Sequence, residues 1–146
     1  MNGLKLFVDA NILVAAAKSS SGGSRLVLAL GKSKKYNLVT VAHALQEAER
    51  NIALKLGAKY LPAYYNLLLE SKVSIQPIFG STLSEIVKLE KFVPRKDVPI
   101  LLGVLYSESS FLITLDRKDF LKNEALHALR LPFKILTPGD FIQKYL

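Results

Sequence analysis

The fold is decided by the stretch LKLFVDANIL, residues 4–13. Its first five residues, Leu4 to Val8, are mostly apolar and show no regular polar alternation, which predicts a buried strand of a parallel sheet. A helix from Asn11 to Lys18 is expected to follow directly. Ligands bind beyond the carboxyl ends of strands in open parallel sheets, so Asp9 stands at a position suited to function. An aspartate is also a good helix N-cap, and this stretch alone leaves both roles open.

Strands and helices alternate along the rest of the chain. Further strands are predicted at residues 37–40, 72–76, 111–115 and 133–136, and helices at 25–32, 41–56, 61–70, 82–92 and in the segments after 97, 116 and 137. Ser24 is expected to cap the helix at 25–32, and Thr82 with Glu85 to form a capping box. The alternation predicts an α/β fold with one domain, residues 1–146. The predicted fold is a three-layer α/β/α sandwich with a central parallel sheet of about five strands.

The composition limits the classes of function. The chain has no cysteine, which excludes disulfides, thiolate metal sites and a cysteine nucleophile. No apolar run reaches the roughly 18 residues of a membrane span, and the N-terminal run carries Lys5 and Asp9, unlike a signal peptide. We therefore predict a cytoplasmic protein without a membrane partner. The net charge of +8 favours a partner that carries phosphates, most simply nucleic acid; the alternative is a basic surface that serves solubility.

The acidic residues are few and stand at informative positions. Asp9 and Asp116 each end a predicted strand, Asp97 has the N-cap position of an apolar helix, and Glu47 lies early in the helix after the second strand. In a parallel sheet these four positions fall at the same edge. Two carboxylates about 4 Å apart repel each other by about 4 kcal/mol at an effective dielectric constant of 20. A divalent cation would neutralise them, and a set of oxygen ligands suits Mg²⁺ or Mn²⁺.

Basic residues stand beside these acids in the sequence. They are Arg95, Lys96, Arg117 and Lys118. Positive charge next to an acidic metal site suits a phosphodiester substrate, and the combination indicates metal-assisted phosphoryl transfer to water. The two histidines, His43 and His127, lie far apart in the sequence, which argues against zinc.

Four segments together carry a resemblance to a known family. They are FVDANIL (7–13), QEAERNI (46–52), KDVPIL (96–101) and LITLDRKDF (112–120). In order and spacing they resemble PIN-domain ribonucleases, the superfamily that includes VapC-like toxins of bacterial and archaeal toxin–antitoxin pairs. The resemblance extends from Leu4 to the last strand near Leu136, and the fourth segment is its most specific part.

The resemblance implies a metal-dependent endoribonuclease that hydrolyses RNA phosphodiester bonds with Mg²⁺ or Mn²⁺, with RNA as substrate. It also implies an antitoxin protein as partner for a toxin, and a homodimer. The implied catalytic, metal-binding acids are Asp9, Glu47, Asp97 and Asp116, with Asp119 as an additional metal ligand, Asn11 and Thr114 as supporting residues, and Arg95, Lys96, Arg117 and Lys118 as RNA-binding residues. Glu47 is preferred to Glu49 because the family's acid is followed by apolar residues one and five positions later, here Ala48 and Ile52.

Three other interpretations were weighed against this one. A haloacid-dehalogenase-like phosphatase needs a second aspartate two residues after Asp9, where this chain has Asn11. A receiver domain needs a phosphate-accepting aspartate after its third strand, and residues 72–77 offer none. A non-catalytic RNA-binding or interaction module on the PIN fold is the remaining alternative. RNA binding by such a module would not change when metal ions are chelated or when Asp9 is replaced by asparagine.

Overall fold

One parallel sheet organises the molecule. The computed structural model describes residues 3–146, and within them five strands pair in the order β3-β2-β1-β4-β5, all parallel. The strands are β1 (Leu4–Val8), β2 (Tyr36–Thr40), β3 (Ser74–Ile75), β4 (Phe111–Ile113) and β5 (Lys134–Leu136). The strand that opens the chain is therefore the centre of the sheet, which explains its continuous apolar character.

Helices connect the strands. They are α1 (Ala10–Lys18), α2 (Gly23–Ala29), α3 (Ala42–Asn51), α4 (Leu61–Glu70), α5 (Leu83–Leu89), α6 (Val98–Ser107), α7 (Glu124–His127) and α8 (Pro138–Tyr145). Short 3₁₀ turns cover residues 30–32, 58–60 and 95–97, and π-type turns cover 52–56 and 117–121.

Helices cover both faces of the sheet. Side chains alternate between the two faces along a strand, and Phe7 of β1 points to the face on which α6 packs. Tyr36 and Phe111 lie on the opposite face, where both rings contact Phe141 of α8 edge-on at 5.9 and 5.3 Å between centroids. The predicted three-layer α/β/α arrangement with five parallel strands is confirmed.

The register of the sheet brings the start and the later part of the chain together. In β1 and β4, Leu6 pairs with Phe111 and Val8 pairs with Ile113. Leu6, Phe7 and Val8 are fully buried. The next residues along the two strands, Asp9 and Thr114, are therefore neighbours at the carboxyl edge of the sheet.

Several element boundaries differ from the sequence prediction. The third strand has only two residues because it is a sheet edge with both side chains exposed. The fourth strand ends at Ile113, because the Leu115 N–H is bound by the side chain of Asn11. Ser24 does not cap α2: the N-cap is Gly22, and Ser24 is buried inside the helix. The capping box of Thr82 and Glu85 is present.

No helix within residues 3–146 combines the length and the apolar character that a membrane crossing requires.

A glycine lets α6 approach the sheet closely. A Cβ atom at Gly103 would lie 2.5 Å from Val41 Cγ1 and 2.6 Å from Phe7 Cε2, and both neighbours are buried. We expect Gly103→Ala to lower the free energy of unfolding by about 2 kcal/mol, because overpacking costs up to about 3 kcal/mol and helix propensity returns about 1 kcal/mol. Urea denaturation measures the change.

The matched control for this substitution is Gly80→Ala, because a Cβ at Gly80 has no atom within 4 Å. It should change the free energy of unfolding by less than about 0.5 kcal/mol. If Gly103→Ala and Gly80→Ala were equally stable, the close approach of α6 to the sheet would not require glycine at position 103.

Candidate metal centre

Three carboxylates meet at the carboxyl edge of the sheet. Asp97, Asp116 and Asp119 each offer one oxygen, and these oxygens lie within 4.8 Å of one another. Asp97 stands at the start of α6, and the other two belong to the segment after β4. The side chain of Asp97 is buried, while Asp116 and Asp119 are half-buried. We call these three residues the acid cluster.

Thr114 links Asp9 to the acid cluster. Its hydroxyl donates to Asp9 Oδ2 at 2.8 Å and accepts from the Asp116 N–H at 3.1 Å. Asn11 adds its Nδ2, which lies 3.3 Å from both Asp9 Oδ2 and Thr114 Oγ1. Asn11 Oδ1 also accepts from the Leu115 N–H at 3.0 Å. The two predicted supporting residues therefore join the ends of β1 and β4 into one hydrogen-bonded network.

Asp9 is both a helix cap and a buried acid. Its Oδ1 accepts from the Ala10 N–H at 2.7 Å, and the residue is 5% exposed. Burial raises the pKa of Asp9 to about 6, although the bonds from Thr114 and Ala10 act in the opposite direction. The charges of Glu47 and Asp116 raise this pKa further. The cap and the functional role that the sequence left open are therefore compatible.

The structure distinguishes the two candidate glutamates. Glu47 is half-buried, and its charge acts on Asp9. Glu49 is exposed and faces Tyr64 and Tyr65 instead, where burial and the Glu49 carboxylate raise the pKa values of both phenols. This placement favours Glu47 over Glu49 as the glutamate of the site.

Asp97 stands at the N-cap position of α6, but its carboxylate makes no capping bond to that helix. Its Oδ2 accepts instead from Lys96 Nζ at 2.9 Å, and the same ammonium lies 3.4 Å from Asp119 Oδ2. Burial raises the pKa of Asp97 to about 6; Lys96 lowers it, and the nearby Asp119 raises it. Burial opposes the charged form of Lys96, but the two carboxylates raise its pKa above the usual range.

Asn123 holds the segment that carries Asp119, and sequence analysis missed it. Its Nδ2 donates to the carbonyl oxygens of Phe92 at 2.6 Å and Asp119 at 2.9 Å. Its Oδ1 accepts from the Leu126 N–H and so caps α7. The segment before Asp97 and the turn that contains Asp119 are thereby fixed to one side chain. The available sequence signal was an asparagine directly before a short helical stretch, a typical N-cap.

The other predicted basic residues are directed to solvent. Arg117 and Lys118 are exposed. Arg95 is 76% exposed at its side chain, with Nε 3.7 Å from Glu90 Oε1. Unlike these three, Lys96 contacts the acids directly, so its predicted role toward RNA is not visible in this arrangement.

Comparison with known proteins gives a match of fold. No protein-family model matches the chain, and no curated protein matches it in sequence. Among solved structures, a chain of VapBC2 from Rickettsia felis, in a crystal structure with a DNA fragment from their promoter, superposes with a TM-score of 0.65. The match covers 92% of this chain and 98% of that chain at 14% sequence identity. The fold is PIN-like. At this identity the comparison shows the fold alone, and the chemistry has to be argued from the residues of this chain.

The residues at this edge of the PIN-like fold suit a divalent cation. The donors of the acid cluster are carboxylate oxygens, the ligands that Mg²⁺ and Mn²⁺ prefer. Oxygens bound to one Mg²⁺ at about 2.1 Å lie at most about 4.2 Å apart, so the acid cluster needs only small side-chain shifts to close on an ion. The ammonium of Lys96 already stands between two of these carboxylates, which shows that the position accepts positive charge.

Proposed function

We propose that this protein is a Mg²⁺- or Mn²⁺-dependent endoribonuclease that hydrolyses phosphodiester bonds of RNA. The observation that carries the proposal is the convergence of Asp97, Asp116 and Asp119, with Asp9 joined to them through Thr114. The protein is basic, yet five of its acids, Glu47 included, lie at one edge of the sheet. Such a concentration of like charge is costly unless a cation compensates it.

In this proposal some side chains hold the metal ion and others orient the side chains that hold it. Asp97, Asp116 and Asp119 would hold the ion, and Asp9 and Glu47 would complete the site from the neighbouring strand and helix. A divalent cation bound there supplies activation of a water molecule and neutralises charge that builds up on the phosphate. Thr114 and Asn11 keep the Asp9 carboxylate in a fixed orientation, as supporting hydrogen bonds do in metal sites.

The exposed cations beside the acids support a nucleic-acid substrate. Arg95, Arg117 and Lys118 are exposed and would bind the phosphate backbone, and the net charge of +8 would attract RNA from solution. Binding through phosphates should weaken as the salt concentration rises. The structure of VapBC2 supports the narrower proposal that this chain is the toxin of a toxin–antitoxin pair with a protein antitoxin as partner. The homodimer that the resemblance implies and the cytoplasmic location that the sequence predicts both remain predictions.

The test combines metal binding with cleavage. The wild-type protein should show a higher thermal midpoint in millimolar Mn²⁺, because an ion that binds only the folded state stabilises it. It should cleave members of a panel of single-stranded and structured RNAs, and EDTA should abolish cleavage. Asp97→Asn should lose the Mn²⁺-induced shift and reduce cleavage more than about 100-fold, because even changes behind the ligands cost 10- to 100-fold.

The matched control is Asp140→Asn, which changes an exposed aspartate in α8 that lies outside the acid cluster. It should keep both the thermal shift and the cleavage. If the wild type binds RNA but is indifferent to Mn²⁺, EDTA and Asp97→Asn, the protein is a non-catalytic RNA-binding module.

A further inference from the structure

Lys96 lies on the carboxylates that the proposed function assigns to the metal. Its Nζ is 2.9 Å from Asp97 Oδ2 and 3.4 Å from Asp119 Oδ2. Within residues 3–146, no other lysine or arginine forms an ion pair with a member of the acid cluster. Lys96 is therefore the side chain that compensates the negative charge of the acid cluster when no metal ion is bound.

The two partners of this contact differ in their freedom to move. The side chain of Lys96 is 62% exposed, while those of Asp97 and Asp119 are 10% and 14% exposed. Asp119 is fixed further by the bond from Asn123 to its backbone carbonyl. The carboxylates are therefore held in place, while the ammonium reaches them from solvent on a flexible four-carbon stem. The ammonium is the group that can leave.

A divalent ion and the ammonium compete for the same oxygens. An ion that binds one oxygen of Asp97 and one of Asp119 would stand within a few ångströms of an ammonium that is hydrogen-bonded to both residues. Cations at that distance repel each other strongly in a partly buried site. The acid cluster would have to release Lys96 in order to accept the ion.

We propose that Lys96 is a displaceable counter-ion of the metal site, whose ammonium neutralises Asp97 and Asp119 in the metal-free protein and leaves them when the ion binds. This inference rests on the proposed function. Lys96 then sets the metal affinity: part of the binding free energy of the ion is used to break the two lysine contacts. It also stabilises the metal-free fold, because the side chains of buried Asp97 and half-buried Asp119 would otherwise have no ion-pair partner within residues 3–146.

The experiment compares Mn²⁺ binding by wild type, Lys96→Gln and Lys122→Gln, measured by the electron paramagnetic resonance signal of free Mn²⁺ at constant ionic strength. Glutamine is one bond shorter than lysine; it keeps a polar end group and removes the charge. We expect Lys96→Gln to bind Mn²⁺ about three- to tenfold more tightly, the scale of losing a charge-assisted contact. Lys122→Gln removes the same charge from an exposed residue three positions after Asp119, and among the described residues the Lys122 side chain forms no ion pair. It should change the Mn²⁺ affinity less than about twofold.

Thermal unfolding gives an independent measurement. In EDTA, Lys96→Gln should melt below the wild type, and in saturating Mn²⁺ the two should melt together, so the Mn²⁺-induced shift should be larger in the variant. A variant too unstable to study in EDTA is replaced by Lys96→Met, which carries the same prediction in Mn²⁺.

The outcomes separate this inference from the proposed function. If wild type and Lys96→Gln bind Mn²⁺ equally well, or if Lys122→Gln tightens binding as much as Lys96→Gln does, the counter-ion role is wrong and the metal site stands. If neither wild type nor Lys96→Gln binds Mn²⁺, the metal site and the counter-ion role are both wrong.

Discussion

Thr114→Val is expected to lower the free energy of unfolding by about 3 kcal/mol, because a hydrogen bond to a charged group contributes about 1.5–3 kcal/mol and the Asp116 N–H loses its acceptor as well. Valine has nearly the shape of threonine, and Thr114 is fully buried, so packing changes little. The same substitution should weaken Mn²⁺ binding by about 10- to 100-fold, the usual cost of removing support behind metal ligands. Urea denaturation and Mn²⁺ titration measure the two effects.

Two further variants make this prediction specific. Thr114→Ser keeps the hydroxyl and should retain most of the Mn²⁺ affinity. Thr40→Val removes another fully buried hydroxyl at a strand end; this hydroxyl donates to the Val8 carbonyl at 2.8 Å and, among the described residues, forms no hydrogen bond to a carboxylate. It should lower stability and leave the Mn²⁺ affinity unchanged. Normal Mn²⁺ affinity in Thr114→Val would contradict a role for this hydrogen-bond network in arranging the acids.

Mn²⁺ binding should depend steeply on pH below about 6. Burial raises the pKa values of Asp9 and Asp97 to about 6 from the usual 3.8. An ion has to displace the protons that these carboxylates hold below that pH. Each proton costs up to about tenfold in affinity per pH unit, so the affinity should fall at least tenfold between pH 7 and pH 5 and level off above pH 7. Titrations at constant ionic strength between pH 5 and pH 8 give the profile, and a flat profile would exclude these two acids as ligands.

The stability of the metal-free protein should show the opposite trend. Because the pKa of Asp9 is higher in the folded protein than in the unfolded chain, its protonation favours folding. That contribution is fully present below about pH 3.8 and is lost as the pH rises through about 6. A rise to about 6 corresponds to about 3 kcal/mol, at about 1.4 kcal/mol per pH unit. Between pH 4 and pH 7 in EDTA, Asp9→Asn should therefore lose less stability than the wild type does.

Local patterns in the sequence were enough to predict much of the fold. The central strand at residues 4–8, the helix at 61–70 and the capping box at Thr82 match the structure, because apolar runs and capping residues act over a few positions. The prediction for β3, residues 72–76, was too long, because nothing in those residues reveals that the segment is the edge of the sheet; the strand has two residues. The short helix α7 was not predicted, since four residues carry too little periodicity.

Part of the candidate site could likewise be predicted from the sequence, and part could not. The positions of Asp9, Asp97 and Asp116 followed from the rule that parallel strands place their carboxyl ends at one edge. The contact of Lys96 with Asp119 could not be predicted, because it depends on how the turn after β4 folds against the start of α6. The role of Asn123 depends on the same packing, since its amide joins two carbonyls that are distant in sequence.

The pairing of β1 with β4 has a consequence for the order in which a new chain acquires its site. Asp9 is synthesised 105 residues before its partner Thr114, and the turn that positions Asp119 ends only at Leu121. Contacts between such distant residues form after the intervening chain is available. A nascent chain that has not yet exposed Leu121 outside the ribosome lacks a complete acid cluster, because Asp116 and Asp119 belong to the turn that ends there. Under the proposed function, the catalytic site would therefore stay unassembled until the segment after β4 has been synthesised and has left the ribosome.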